Sequence, residues 1–247
     1  MSALLACRGL TRRFGGLLAV NAVSLEFEVG QVHAVIGTNG AGKSTLINML
    51  SGELAASGGT ITLGGIEITG WAQPRRARAG IGRSYQRTTI FPAFSVFENC
   101  RLAAQAAHAR PWAIWESADA CQASAAVARE ALETTGLAAV ARTVAGRLSH
   151  GGKRQLEIAM CLATRPRVLL LDEPLAGMGA EETDRMLEVL RALKPGHAIL
   201  LVEHDMDAVF RVADRITVMV NGEVIAGGAP EAIRANRDVQ VAYLGGP

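Results

Sequence analysis

Short apolar runs that alternate with helical patterns dominate the chain and predict an α/β fold. Residues 20–27 alternate apolar and polar side chains, whereas 168–171 and 198–202 are continuous apolar runs typical of strands covered on both faces. The predicted strands span 7–11, 20–27, 32–36, 60–63, 66–69, 80–85, 167–172, 197–203, 215–220 and 223–226. The predicted helices span 43–50, 96–109, 115–134, 151–164, 180–193 and 205–213. Because strands and helices alternate, most of the sheet is expected to be parallel, with hairpins at Gly64-Gly65 and Asn221-Gly222.

The character of the chain changes between Ser95 and Arg147, where alanine is abundant. Two helical patterns lie in this stretch, and Pro111 separates them because proline interrupts a helix. The segment is expected to be a helical subdomain inserted into the α/β core.

Composition narrows the class of protein. The chain has 247 residues, 49% of them hydrophobic, which suits a large buried core and excludes a disordered chain. No apolar run reaches the ~20 residues that cross a bilayer, and the N-terminus lacks the pattern of a secretory signal. A net charge of +2 argues against a dedicated nucleic-acid binder. The four cysteines show no metal-binding spacing and are expected to be free thiols in a reducing cytosol.

A glycine-rich loop after the third predicted strand points to nucleotide chemistry. Residues 37–44 fit the phosphate-binding loop G-x-x-x-x-G-K-[ST]. Its glycines let backbone N–H groups face the phosphates, and the following helix presents its positive N-terminus to them. Lys43 is expected to reach the β- and γ-phosphates, and the Ser44 hydroxyl to bind Mg²⁺. Only three of the 25 basic residues are lysines, so a lysine at this position of the motif is hard to explain by chance.

Two carboxylates follow the apolar run 168–171. Ligands of parallel sheets bind at the carboxyl ends of the strands. Asp172 is therefore expected to hold Mg²⁺, and Glu173 to polarise an attacking water. Taken alone, the pair could equally be an acidic opening to a loop.

Together with three further segments, these motifs resemble the ATP-binding subunit of ABC transporters. The further segments are Gln86 at a strand end, the signature segment 148–159 (Leu-Ser-His-Gly-Gly-Lys-Arg-Gln-Leu-Glu-Ile-Ala), and His204 after an apolar strand. All follow in the family's order, and the resemblance covers essentially the whole chain. It implies a P-loop NTPase cassette with an N-terminal antiparallel β part, a mostly parallel core sheet and an inserted α-helical subdomain. The implied layout is one nucleotide-binding domain over 1–247, with its core at 1–86 and 165–247 and the helical subdomain, carrying the signature segment, at 87–164.

The resemblance also implies roles for individual residues. ATP would be sandwiched between two cassettes packed head to tail, each site combining one phosphate loop with the other cassette's signature segment. The implied nucleotide-binding residues are Phe14, which would stack on adenine, and Gly37, Thr38, Asn39, Gly40, Ala41, Gly42, Lys43, Ser44 and Thr45. The residues implied to contact the partner's ATP are Ser149, Gly151 and Gly152. The implied catalytic residues are Glu173, His204 and Gln86, and the implied Mg²⁺ ligands are Ser44, Gln86 and Asp172. Taken alone, Phe14 and His204 could each be a core residue instead.

Three positions depart from the family's usual pattern. His150 replaces the first glycine of the signature, Gly152 stands where a glutamine is usual, and Gly179 stands where an aspartate is common. The two ATP sites of an assembled transporter could therefore be unequal.

Several segments resemble a narrower branch, the ATP-binding subunits of branched-chain amino acid importers. They are 14–20, 173–178, 203–206 and 241–245. Some details also resemble the related urea importers, so an importer of urea or another small polar solute remains an alternative. A soluble ABC ATPase outside transport and a binding module that hydrolyses ATP poorly are further alternatives.

The importer branch implies partners and a location. The partners are a second cassette, identical or different, two membrane-spanning permease subunits and, indirectly, a periplasmic substrate-binding protein, with no nucleic acid among them. The location implied is the cytoplasmic face of the inner membrane. Ile90, Phe91, Phe94 and Phe97 concentrate apolar side chains and are expected to serve partly as a permease-docking groove and partly as subdomain core.

Overall fold

The computed structural model describes residues 3–85, 89–108 and 118–244. Its strands are β1 (Leu5–Phe14), β2 (Leu17–Phe27), β3 (Gln31–Gly37), β4 (Gly58–Leu63), β5 (Ile66–Glu67), β6 (Ile81–Arg83), β7 (Val168–Asp172), β8 (Ala198–Val202), β9 (Arg215–Val220) and β10 (Glu223–Gly228). Its helices are α1 (Lys43–Ser51), α2 (Gln73–Arg78), α3 (Val96–His108), α4 (Ala118–Thr134), α5 (His150–Leu162), α6 (Ala180–Leu193), α7 (Met206–Val212), α8 (Pro230–Arg234) and α9 (Arg237–Leu244). Among these residues, no helix combines the length and apolarity needed to span a bilayer.

The N-terminal part of the chain forms an antiparallel sheet in the order β2-β1-β4-β5. The alternation predicted for β2 is confirmed, since Val23, Leu25 and Phe27 are buried. β1 is longer than predicted at both ends, because residues 5 and 6 pair with both β2 and β4 and residues 12–14 pair with β2.

The second sheet has the order β10-β9-β3-β8-β7-β6 and is parallel except where β10 meets β9. Val202 of β8 lies opposite Val35 of β3 on one side and opposite Asp172 of β7 on the other. The carboxyl ends of these three central strands therefore lie side by side. This edge gathers the glycine-rich loop, Glu173 and His204 although they are far apart in sequence.

Each face of the parallel sheet is covered, as its continuous apolar strands require. One face packs against α1 and the antiparallel sheet, and the other packs against α6 and α7. A third core joins α3, α4 and α5. The predicted fold class, an α/β cassette with an antiparallel part, a mostly parallel sheet and a helical group, is confirmed.

The sequence patterns missed α2, α8 and α9. These helices are only five to eight residues long, and α2 carries three arginines in place of an apolar stripe. The predicted strand 66–69 is shorter in the structure. The Ile61 N–H donates to the Thr69 hydroxyl, and in a longer strand it would donate to a backbone carbonyl oxygen instead. The start of the predicted helix 115–134 lies outside the described residues.

Candidate functional site

The glycine-rich loop joins the end of β3 to the start of α1, as predicted. Gly40 and Gly42 have left-handed backbone angles, with φ of 81° and 98°. A Cβ on Gly37 would collide with the Met219 carbonyl oxygen, and one on Gly42 with the Ala19 carbonyl oxygen. Glycine is therefore required at both positions by close backbone packing.

Main-chain hydrogen bonds from a neighbouring turn support the conformation of this loop. The Gly222 N–H, in the turn between β9 and β10, donates to the Ala41 carbonyl oxygen at 3.1 Å, and the Asn21 N–H donates to the Gly222 carbonyl oxygen at 2.8 Å. The loop is thus held by a main-chain hydrogen bond from the turn between β9 and β10, and that turn is held in the same way by β2.

Lys43, the first residue of α1, is buried with its ammonium group inside the loop. Its Nζ donates to the carbonyl oxygens of Gly37 at 2.6 Å and Thr38 at 3.1 Å. Burial lowers the pKa of Lys43, while the charges of Glu173 and Asp172 oppose that shift. The loop therefore presents a positive charge next to two carboxylates at the N-terminus of a helix, which suits a phosphate group.

Asp172 is the buried last residue of β7. Burial raises its pKa, and Arg83 opposes this shift, with Nη2 3.7 Å from the Asp172 carboxylate. Arg83 also donates to Asn48 and Ser51 of α1 and to Glu53 just after it. Arg83, which connects the helix after the phosphate loop to the acidic strand end, was not predicted from the sequence.

At Glu173 the backbone turns away from the direction of β7. Its φ is 50°, a left-handed angle that costs a residue other than glycine about 1 kcal/mol or more. Its N–H donates to the Val202 carbonyl oxygen at 2.9 Å, which anchors this turn on β8. His204 lies beside it, with Nδ1 3.8 Å from Glu173 Oε1, and its side chain is 59% exposed. The structure thus brings together the two residues predicted to act on water and the γ-phosphate, and His204 is not in the core.

An open cavity of about 690 Å³, within the usual size range of small-molecule sites, adjoins Lys43 and Glu173, and its described lining does not include His204. It is lined by residues 39–45 of the loop and α1, by Glu173 and Asn221, and by Phe14 and residues 17–19 of β1 and β2. Phe14 is 44% exposed, with the Arg12 guanidinium 4.6 Å above its ring. Phe14 is therefore available at the rim of the cavity, where its predicted stacking on adenine remains a prediction.

The signature residues open α5. Ser149 caps the helix by accepting the Gly152 N–H at 3.1 Å, and its own hydroxyl donates to Glu182 Oε1 at 2.7 Å. A Cβ on Gly151 would lie 2.5 Å from the Glu182 carboxyl carbon. His150 Nε2 lies 3.0 Å from the Ala176 carbonyl oxygen, so the unusual histidine contacts the loop after β7. The described lining of the 690 Å³ cavity includes none of these signature residues.

Gln86 lies outside the described residues, but the chain on either side of it is held by α5. Arg154 donates to the Tyr85 carbonyl oxygen at 2.8 Å, and Glu157 Oε1 accepts the Thr89 N–H at 2.6 Å. Arg154 and Glu157 also pair with each other at 2.9 Å and are both buried. Neither residue was predicted to be functional from the sequence. The available signal was their position in the signature segment 148–159.

Glu203 is a further residue that the sequence analysis did not assign. It is fully buried and accepts the Leu175 and His204 N–H groups at 2.8 and 3.1 Å. A charged residue directly after the apolar run of β8 was the available signal.

Comparison with known proteins gives two family matches. The family described as ABC transporter matches residues 20–176, and the one described as branched-chain amino acid ATP-binding cassette transporter matches residues 223–247. The high-affinity branched-chain amino acid transport ATP-binding protein BraF of Pseudomonas aeruginosa is 43% identical over 98% of both chains. LivG of Salmonella typhimurium, of the same description, is also 43% identical over 98% of both.

Solved structures agree with this similarity. An ATP-binding cassette of an ABC transporter, solved in its ADP conformation, superposes with a TM-score of 0.87 at 27% identity, covering 99% of this chain and 100% of the other.

Proposed function

The chain belongs to the ABC transporter family and is an ATP-binding cassette, which is an ATPase, and we propose that it powers the import of branched-chain amino acids. The observation that carries the catalytic part of this proposal is the meeting of Lys43, Glu173 and His204 at one edge of the parallel sheet. The substrate class is supported by 43% identity over nearly the full length to BraF and LivG and by the C-terminal match at 223–247.

The proposed ATP-binding residues are the loop 37–45, with Phe14 against the adenine. Backbone N–H groups of the loop and the Lys43 ammonium would hold the β- and γ-phosphates. The two carbonyl oxygens that now accept from Lys43 are replaceable partners, because a phosphate is a stronger, charged acceptor.

The residues proposed for Mg²⁺ are Ser44, Asp172 and Gln86, whose hydroxyl, carboxylate and amide oxygens are the hard ligands this ion prefers. Asp172 fits a cation because its carboxyl group is buried, and a bound cation would offset the cost that burial places on its ionised form and that raises its pKa. When bound, Mg²⁺ would neutralise charge on the β- and γ-phosphates.

Glu173 is proposed to orient and polarise the attacking water, and His204 to hold the γ-phosphate and the Glu173 carboxylate. Support comes from the 3.8 Å distance between His204 Nδ1 and Glu173 Oε1, since side chains this close could both reach one bound water and phosphate. Gln86 is proposed to sense the nucleotide and relay its state to the helical subdomain. The contacts of α5 with Tyr85 and Thr89, on either side of Gln86, support that relay.

The proposed partners are a second cassette, two permease subunits and, through them, a periplasmic binding protein at the inner membrane. Ser149, Gly151 and Gly152 would complete the second cassette's ATP site with the N-terminus of α5. Phe91 and Phe94 are 50% and 46% exposed and stack with ring centroids 5.7 Å apart, which supports permease docking there. Ile90 and Phe97 pack against the helical core instead, so the apolar segment is divided between both expected roles.

Reconstitution tests this proposal. Vesicles holding the chain, its partner cassette and both permease subunits are expected to hydrolyse ATP faster when a leucine-loaded binding protein is added, and to take up leucine. Stimulation by a urea-binding protein alone would overturn the substrate class while leaving the ATPase role intact. Hydrolysis without any dependence on permease subunits or binding protein would favour an ATPase outside transport.

A further inference from the structure

Glu203 is a buried carboxylate that none of the roles above uses. It follows the last residue of β8, and its residue exposure is 0%. Burying a carboxylate is costly unless hydrogen bonds compensate it. Here both oxygens have partners: Oε1 accepts the Leu175 N–H at 2.8 Å, and Oε2 accepts the His204 N–H at 3.1 Å.

These two partners lie on different strand ends of the candidate site. Leu175 is two residues after Glu173, in the loop that follows β7, and His204 follows β8. Glu203 therefore joins the segment carrying the proposed water-orienting carboxylate to the segment carrying the proposed γ-phosphate ligand. The Glu173 N–H also donates to the carbonyl oxygen of Val202, the residue before Glu203. Residues 202 and 203 therefore hold the loop after β7 at two points.

The His204 ring lies between two carboxylates. Its Nδ1 is 3.8 Å from Glu173 Oε1 and 3.8 Å from Glu203 Oε2. The His204 side chain is more than half exposed, so few packing contacts restrict it. Glu203 therefore lies on the inner side of His204, hydrogen-bonded to its backbone N–H and 3.8 Å from its ring nitrogen.

We propose that Glu203 is a positioning residue for ATP hydrolysis, which sets the separation of Glu173 and His204 without touching the nucleotide. This role rests on the proposed ATPase function. A displacement of about 1 Å in a catalytic group can cost up to about 100-fold in rate, so a rigid link between the two groups matters for turnover. ATP affinity depends on the loop 37–45, which Glu203 does not contact through either of these hydrogen bonds.

Glu203→Gln is the informative variant. Glutamine keeps the size and one acceptor oxygen, but its amide N–H₂ must face one of the two backbone N–H groups. The neutral side chain is less costly to bury than a carboxylate, so the variant is expected to fold. Glu188→Gln, the same chemical change at an exposed position of α6, is the matched control.

The first measurement is ATP hydrolysis by the full chain with its partners, beside ATP binding by calorimetry. Glu203→Gln is expected to lower kcat about 10-fold or more while the ATP Kd stays within about twofold of wild type. Unchanged kcat, or a Kd that rises in step with the loss of kcat, would overturn the role. Absence of hydrolysis in the wild type would instead overturn the proposed function itself.

A double-mutant cycle separates positioning through His204 from a general structural effect. In the His204→Ala background, measured by single-turnover hydrolysis, Glu203→Gln is expected to cause less than about twofold further loss, because without the imidazole no separation from Glu173 is left for Glu203 to set. Multiplicative losses in the double variant would show that Glu203 does not act through His204.

Discussion

At the residue scale, the site separates the group that binds phosphate from the groups that act on it. Lys43 is enclosed by the loop and directs its ammonium at two carbonyl oxygens. Glu173 and His204 stand at neighbouring strand ends, with Glu203 beneath them. Substitutions in the two groups should therefore have different consequences for affinity and turnover.

Lys43→Ala is expected to weaken ATP binding by about 10- to 100-fold, because it removes a charge-assisted hydrogen bond inside a partly desolvated loop. Isothermal titration calorimetry of the full chain measures this. Lys194→Ala is the matched control: its ammonium pairs with Asp214 at the surface, and such pairs contribute little. ATP affinity equal to wild type in Lys43→Ala would contradict the role given to Lys43.

The phosphate loop and the acidic pair could be predicted because each is a short stretch of consecutive residues. Arg83 and Glu182 could not, because their partners Asp172 and Ser149 are 33 or more positions away in the chain; the position of Glu203 after an apolar run was a signal, but it did not reveal the partner Leu175. Their importance comes from tertiary contacts that no local pattern records.

At the element scale, the N-terminus of α5 is in contact with a carboxylate of the same chain, that of Glu182. Glu182 of α6 accepts the Ser149 hydroxyl, and the backbone N–H groups of Gly151 and Gly179 add to the interactions that lower its pKa. A helix N-terminus favours negative charge, so under the proposed head-to-tail arrangement a phosphate of the second cassette's ATP would have to displace this carboxylate.

Glu182→Gln is therefore expected to strengthen ATP-dependent association of cassettes by about two- to fivefold. Analytical ultracentrifugation with ATP, in a Glu173→Gln background that retains nucleotide, measures the association constant. Glu181→Gln, the neighbouring change at an exposed residue paired with Arg185, should leave association unaltered. Weaker association in Glu182→Gln would mean that the carboxylate supports the interface.

Elements with a clear apolar period were predictable, and those held by polar contacts were not. α2 depends on buried Arg76, which donates to the carbonyl oxygens of Thr69 and Trp71 and, at the end of α1, of Met49 and Leu50. An arginine that satisfies four carbonyl groups has no signature in a hydrophobicity pattern.

At the scale of the whole molecule, His33 joins the two sheets. Its Nδ1 lies 3.1 Å from the Glu26 carbonyl oxygen of β2, and its Nε2 lies 2.8 Å from the Thr217 hydroxyl of β9. A carbonyl oxygen only accepts, so Nδ1 carries the proton and Nε2 accepts from Thr217. Burial lowers the pKa of His33 to about 4, which keeps the ring neutral in the folded protein.

The free energy of unfolding is expected to fall as the pH drops from about 6.5 to about 4. In that window the unfolded chain binds a proton at His33 that the folded chain does not, which costs the folded state up to about 3 kcal/mol. Urea unfolding at several pH values measures the slope. His33→Gln should flatten it, whereas His197→Gln should leave the contribution of His33 in place; an unchanged slope in His33→Gln would contradict this assignment.

Glu173→Gln is expected to stop turnover while ATP binding persists, and so to stabilise the pair of cassettes around trapped ATP. The amide keeps the size of the side chain but cannot polarise water as a carboxylate does. Size-exclusion chromatography with ATP, beside a turnover assay on the assembled transporter, measures both effects. Turnover at the wild-type rate would exclude Glu173 from the role of water-polarising group.

The main-chain bracing of the phosphate loop has a consequence for how this protein can vary. Because Ala41 and Gly222 meet through backbone atoms, side chains around them can diverge while the loop keeps its form. A change in the number of residues in the turn between β9 and β10, or in the segment around Asn21, would move the supporting atoms themselves. Insertions and deletions at these two places are therefore expected to disturb the phosphate loop, as is any substitution of Gly222, whose φ is 83° and whose Cβ would lie 2.8 Å from the Ala19 carbonyl oxygen, even though neither place belongs to a nucleotide motif.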